Sequence, residues 1–219
     1  MMQSAATHKS DDCSADMIND EQFVDDRTRA ALYGILGRTY SHELTLEFAK
    51  ELRQVGFFEI LAGMDSSFTV EDDLNSLDFD SLAVEFARLF VGPGLRASPY
   101  ASVYREDDQR GGQLWGETTG EVKRFMAHYG LKVNKPGTIP DHISVLFEFM
   151  EKLLRAKIEA FRQGDEEACR QADRIQRQFF ANYIEPWIER FLQRVLGAKP
   201  LPFYSALAKF TQQFIIQEK

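Results

Sequence analysis

The sequence predicts an all-α fold, a single globular multi-helix domain, on three observations. Apolar residues recur at helical spacing through most of the chain, Pro and Gly fall between those stretches, and no segment sustains period-two alternation. At 219 residues and 44% hydrophobic, the chain can bury a substantial core. Its eighteen Phe and seven Tyr must fill that core or line an apolar groove.

Residues 1–20 are small, polar and acidic without periodicity, which predicts a mobile tail, with the all-helical domain over 21–219. The first stripe is Phe23, Arg27, Ala30, Ala31, Gly34 and Ile35, the Arg27 stem covering apolar surface. A short helix after His42 carries Leu44, Phe48, Leu52 and Val55. Residues 56–80 are rich in Asp, Ser and Gly and predict short helices and loops. Periodicity returns at Leu82, Phe86, Leu89 and Phe90. It stops at Gly92-Pro93-Gly94, because Pro removes a donor and Gly costs backbone entropy. Residues 91–117 then read as a functional loop, since long irregular connections are uncommon in compact domains unless they serve a purpose.

Thr118 and Glu121 have capping-box spacing ahead of Val122, Phe125, Met126 and Tyr129, with Gly130 as the stop. The next helix is expected to open at Thr138-Ile139-Pro140-Asp141. Its core stripe is Ile143, Leu146, Phe147, Met150, Leu153, Leu154, Ile158 and Phe161. A further helix covers Asp165 to Ile184 with Ile175, Phe179 and Tyr183 on one face, and Pro186 breaks or kinks it. Trp187, Ile188, Phe191, Leu192 and Val195 continue the stripe. A last helix from about Phe203 uses Leu207, Phe210 and Phe214.

Charge and motifs narrow the function. A net charge of -8 opposes nucleic acid and favours a cationic partner. Cys13 and Cys169 stand alone with no C-x-x-C, so neither a disulfide framework nor a zinc site is indicated, and a reducing compartment fits. The acidic N-terminus has no apolar run, and no stretch of about 18 apolar residues occurs, so the protein is expected to stay in the cytoplasm without stable membrane insertion. His8, His42, His128 and His142 form neither H-E-x-x-H nor Glu-x-x-His, so no metal is expected. Residues 92–97 satisfy a loose G-x-G-x-x-A pattern, but they follow a helical stripe rather than a strand and read as a turn. Without a Walker A, G-x-S-x-G or paired Cys/His arrangement, no catalytic site and no cofactor are expected.

Two constellations stand out. Asp141-His142 sits at a helix start, where free N–H groups and the dipole can hold a polar ligand; alternatively Asp141 caps its own helix while His142 bonds to a loop. In the loop, Tyr100, Tyr104 and Trp115 accompany Glu106, Asp107 and Asp108, a set that offers apolar area with carboxylates suited to Arg forks.

The run FARLFVGPG at 86–94, PYASVY at 99–104, LWG at 114–116, YGL at 129–131, PDHI at 140–143 and EFM at 148–150 resembles the TorD/DmsD/NarJ group of redox-enzyme maturation chaperones. The likeness extends through Trp187 and FYSALA at 203–208. Two positions depart from the family pattern: Leu146, where Glu is common, and Asn182, where His is. The resemblance implies an all-helical chaperone that binds the twin-arginine signal peptide of a molybdopterin oxidoreductase. It would also engage the apo form of that subunit and assist cofactor insertion before export. The resemblance places peptide binding at Tyr100, Ser102, Tyr104, Trp115, Asp141 and His142, in an apolar cleft edged with carboxylates. It also associates guanine nucleotide with the same region, so the alternative is a nucleotide switch or weak NTPase centred on Asp141-His142.

Overall fold

The computed structural model describes residues 11–70, 74–92, 94, 96–105, 114–131 and 138–219, with side chains from Asp25 onward. Among these residues the regular elements are helices: α1 Asp11–Ser41, α2 Leu46–Gln54, α3 Phe57–Met64, α4 Phe79–Phe90, α5 Glu117–His128, α6 Ile143–Arg162, α7 Glu166–Phe179, α8 Glu185–Gly197 and α9 Pro202–Gln217. The β feature described is an isolated antiparallel bridge between Tyr100 and His142.

Helix α1 begins at Asp11, ahead of the onset expected near Glu21. The rest of the expected tail, residues 1–10, lies outside the described residues, as do the Phe23 side chain, Pro93, and Glu106, Asp107 and Asp108. The buried face of α1 also differs from the stripe read in the sequence. Arg27 and Ala31 are exposed, whereas Asp26, Ala30, Tyr33, Leu36 and Tyr40 are buried. Tyrosine supplies more apolar area than alanine provided its hydroxyl finds a partner. Here Tyr33 donates to Glu218 at 2.8 Å, and Tyr40 and Thr211 hydroxyls lie 3.0 Å apart.

The packing of α1 along α6 forms the centre of the molecule. Gly37 permits the close approach, because a Cβ there would stand 3.3 Å from the Ser144 carbonyl oxygen. From α6, Ile143, Leu146, Phe147, Met150, Leu153, Leu154 and Ile158 are buried, while Phe161 is partly exposed. The Phe147 ring meets Tyr33 and Tyr40, and Tyr40 extends the aromatic cluster to Phe90 of α4 and Phe191 of α8. Phe90 then meets Tyr204 of α9 with centroids 6.0 Å apart. Phe203, Leu207, Phe210 and Phe214 are buried as their spacing predicts.

Local chemistry sets the helix ends. Thr45, Asp78 and Asp165 accept from the backbone N–H three residues on and cap α2, α4 and α7. Val55, placed in the α2 stripe by spacing, is instead the exposed residue that closes that helix. At the end of α5, Gly130 adopts φ 76°, Leu131 N–H donates to Met126 and Gly130 N–H donates to Ala127, satisfying carbonyls that the helix leaves open. Residues Phe180–Ile184 form a π-turn ahead of Pro186, so the break expected at the proline is absorbed by one wide turn rather than a chain reversal.

Charged groups fasten the helices at one end. Arg29 of α1 donates to both oxygens of Glu218, at 2.6 and 2.8 Å, and also to Asp26. Lys157 of α6 lies 2.7 Å from Asp26 and 2.8 Å from Asp173 of α7. At the other end Glu85 accepts from Arg88 and from Leu201 N–H, which joins α4 to the α8–α9 turn.

Candidate functional site

Three chain segments converge on Asp141. Its side chain is fully buried, and one carboxylate oxygen accepts from Ser102 N–H while the other accepts from the Thr119 hydroxyl, both at 2.8 Å. Backbone bonds run alongside: Ala101 N–H donates to the Asp141 carbonyl and Ile143 N–H to that of Pro99. Asp141 thus clamps residues 99–104 and the first turn of α5 to the start of α6.

This corrects two sequence expectations. The capping of α6 falls to His142, whose Nδ1 accepts from Ser144 N–H at 3.2 Å, and the helix starts at Ile143 rather than within 138–141. Asp141 is one residue too early to cap and turns inward instead. The capping box at Thr118 and Glu121 is likewise not formed. Helix α5 already begins at Glu117, and Thr118 and Thr119 are buried in its first turn. Asp141, enclosed and engaged at both oxygens, presents no open acceptor for an Mg-nucleotide, so a nucleotide site centred on Asp141-His142 does not fit this geometry.

The six residues expected to bind peptide separate into three groups by exposure. Ser102 and Asp141 are 0% exposed and Tyr104 only 4%, which places all three inside the structure. Tyr104 stacks on Trp187 with centroids 5.5 Å apart, and the Arg194 guanidinium lies over its ring at 4.8 Å. Burial pushes the Tyr104 hydroxyl up to about 12, with Arg194 opposing the shift. Tyr100 and His142 are half-buried and form an edge-to-face pair at 4.9 Å. Burial, with His42 nearby, lowers His142 to about 4, so its ring is neutral at pH 7 and its Nδ1 lone pair is free to cap α6.

Trp115 is the outward member. It is 57% exposed at φ 65°, a left-handed backbone that bulky residues seldom adopt, beside the exposed Leu114. It lies just ahead of the α5 turn that Asp141 holds through Thr119.

Two clefts flank this clamp. One of about 750 Å³ runs between α5 and the π-turn, lined by Phe125, Tyr129 and Tyr183 with Glu121, Arg124 and Arg105 among its polar residues. The other, of about 940 Å³, lies between the end of α4, residues 96–105 and α8 and carries five arginines. Neither cleft beside the loop is the carboxylate-edged apolar one expected from the sequence: Glu121 is the carboxylate lining the first, and the second is basic. A mainly apolar cleft of about 360 Å³ lies elsewhere, lined by Leu44, Phe68, Leu82 and Phe203 with Asp78 at its edge. Sequence reasoning missed this arginine cluster because its members lie at 88, 96, 105, 190 and 194, on segments that only the tertiary fold unites. Leu146 is wholly buried against the core. Asn182 contributes its carbonyl, freed in the π-turn, to Arg105 at 2.8 Å.

An all-helical domain with an internally clamped loop, an exposed Trp115 and two flanking clefts is what the fold and the site define. The family model of the nitrate reductase delta subunit matches residues 44–193, and the chain belongs to this family of TorD-like redox-enzyme maturation chaperones. A chaperone protein TorD from Shewanella loihica is 27% identical over 210 residues, covering 89% of this chain and 93% of that one. A TorD from Vibrio cholerae is 27% identical over 140 residues, covering 63% and 60%. The crystal structure of a provisionally assigned redox enzyme maturation protein from Archaeoglobus fulgidus superposes with a TM-score of 0.55 at 19% identity, covering 84% of this chain and 93% of that one. That likeness establishes the shared fold. Among the described residues no helix is long and apolar enough to cross a membrane.

Proposed function

We propose that this chaperone acts in the cytoplasm on a molybdopterin oxidoreductase, holding the twin-arginine signal peptide of the apo subunit until cofactor insertion is complete. Family membership supports the maturation role, and the TorD relatives are chaperones by name. The observation that carries the peptide reading is Trp115: a large ring facing solvent, on backbone held in a costly conformation, at the mouth of a loop whose base Asp141 fixes. Its exposure and left-handed backbone set that ring apart from the buried rings of the loop, as a recognition anchor requires.

In this reading the apolar stretch of the leader lies from Trp115 along the aromatic cleft of Phe125, Tyr129 and Tyr183, with Glu121 facing cationic groups. Burying about 500 Å² at roughly 25 cal/mol per Å² gives on the order of 12 kcal/mol gross, much of it cancelled by ordering and lost rigid-body freedom. Micromolar affinity follows, tight enough to shield the leader yet readily released. Binding of a labelled twin-arginine leader from a molybdopterin oxidoreductase of the source organism tests this by fluorescence anisotropy. Trp115→Ala should weaken binding at least tenfold with an unchanged thermal midpoint, and equal affinity would refute the assignment. Mass spectrometry of partners copurified from the native cell identifies the client.

A further inference from the structure

The arginine-lined cleft shares Arg105 with the cleft assigned to the leader but is otherwise distinct from it, and its charge would repel a cationic segment. Half of its ten lining residues are arginines, Arg88, Arg96, Arg105, Arg190 and Arg194, and no carboxylate lines it among the described residues, although the chain carries a net charge of -8. We propose that this cleft docks an acidic segment of a partner polypeptide, with several carboxylates spaced along an extended backbone.

The cleft already displays the required chemistry at one edge. Arg88 grips both oxygens of Glu85, at 2.6 and 2.7 Å, and extends a further bond to the Ala198 carbonyl. Guanidinium forks match carboxylates in this bidentate manner and stay charged at every physiological pH. Arg194 is held by the Tyr104 ring rather than by an ion pair, which fixes its direction without neutralising it.

The backbone around the cleft distinguishes carboxylates on a chain from a compact phosphate. Phosphate sites draw on helix N-termini, where N–H groups converge. Here α4 and α8 both present their C-terminal ends: Arg88 is in the last turn of α4, Arg194 is in that of α8, and Gly197 and Ala198 close α8. Those carbonyl ends disfavour a concentrated dianion, whereas arginines on two segments, residues 96–105 and α8, can each take one carboxylate of a longer ligand. The volume of about 940 Å³, open along one side, admits several residues of peptide. Helix-end complementarity accounts for Arg88 and Arg194; Arg96, Arg105 and Arg190 lie away from helix ends, with Arg105 donating to the Asn182 carbonyl and Arg190 to that of Pro186.

The test uses the full chain and two fluorescein-labelled decapeptides, one alternating Glu and Ala and the other Gln and Ala, read by anisotropy in low salt. The acidic peptide should bind at least tenfold more tightly despite the protein's overall negative charge. The Arg96→Gln/Arg194→Gln variant should lose at least tenfold of that affinity, and Arg96→Lys/Arg194→Lys should lose less. Circular dichroism and the thermal midpoint verify that both variants fold. Trp115→Ala should leave this binding intact, which separates it from signal-peptide capture. Equal binding of the two peptides, or an unchanged affinity in the Gln variant, would overturn the proposal. Displacement by micromolar pyrophosphate would reassign the cleft to phosphate. A tenfold gain on Glu106→Gln/Asp107→Asn/Asp108→Asn would reassign it to the chain's own acidic run.

Discussion

His142 occupies a position where charge and structure compete. Its Nδ1 caps α6 only while unprotonated, and burial lowers its folded-state value to about 4, below the ordinary imidazole value. Between about pH 6.5 and 4 the unfolded chain therefore binds more protons than the native one, so stability falls as pH drops through this window, by up to about 3 kcal/mol. His142→Asn keeps a capping acceptor and removes the titration. Denaturant midpoints measured from pH 7 to 4 should be flatter for this variant than for the parent. Tyr104 and Trp115 form a matched pair at the same scale. Tyr104→Ala should cost about 3–5 kcal/mol in urea unfolding because it empties a buried site against Trp187 and Phe191, while Trp115→Ala should cost under about 1 kcal/mol. A large stability loss from Trp115→Ala would make that ring structural.

At the scale of elements, α1 and α6 depend on close backbone approach at Gly37 and on the ion cluster at Lys157. Gly37→Val should separate the helices and destabilise by about 1–3 kcal/mol, with the shift in thermal midpoint as the measure. Lys157→Ala leaves the buried Asp26 with Arg29 as its remaining partner and should cost about 1–3 kcal/mol; a neutral result would mean that water replaces the ammonium. Most element boundaries were legible in the sequence. The α6 stripe, the stop at Gly130 and the break before Trp187 follow from spacing, glycine and proline, which act locally. The register of α1 was not, because a pattern of Ala, Gly and Arg stem looks as good as one of Tyr33 and Tyr40 until Glu218 and Thr211 appear as hydroxyl partners. Asp141 was misread for a similar reason: its position beside a helix suggests a cap, and only the fold brings Ser102 and Thr119 to it.

Across the whole molecule, acid should act in two stages. The first is the His142 window. The second involves Asp65, whose carboxylate receives Lys209, Ser205 and Ser67 and is held well below the usual range by those bonds, Lys209 foremost. A depressed carboxylate contributes stability that is complete above about pH 4 and is lost as pH falls through its folded value, so Asp65→Asn should lower the parent's stability at pH 7 and mute its decline below pH 4. Chemical denaturation at pH 7 and pH 3 checks both. The site was legible only in part at this scale. Motif order identified the loop and its rings, but which rings face water and where the arginines gather depend on distant segments meeting.

The pairing of Arg29 with Glu218 spans 189 positions of sequence. Because α1 lies against α6 and its tyrosine and arginine are completed by a residue beside the end of α9, a ribosome-bound chain lacks that closure until residue 218 has emerged. The first helix must wait for a partner made long after it, and nascent chains stalled before residue 218 should remain open to proteolysis there.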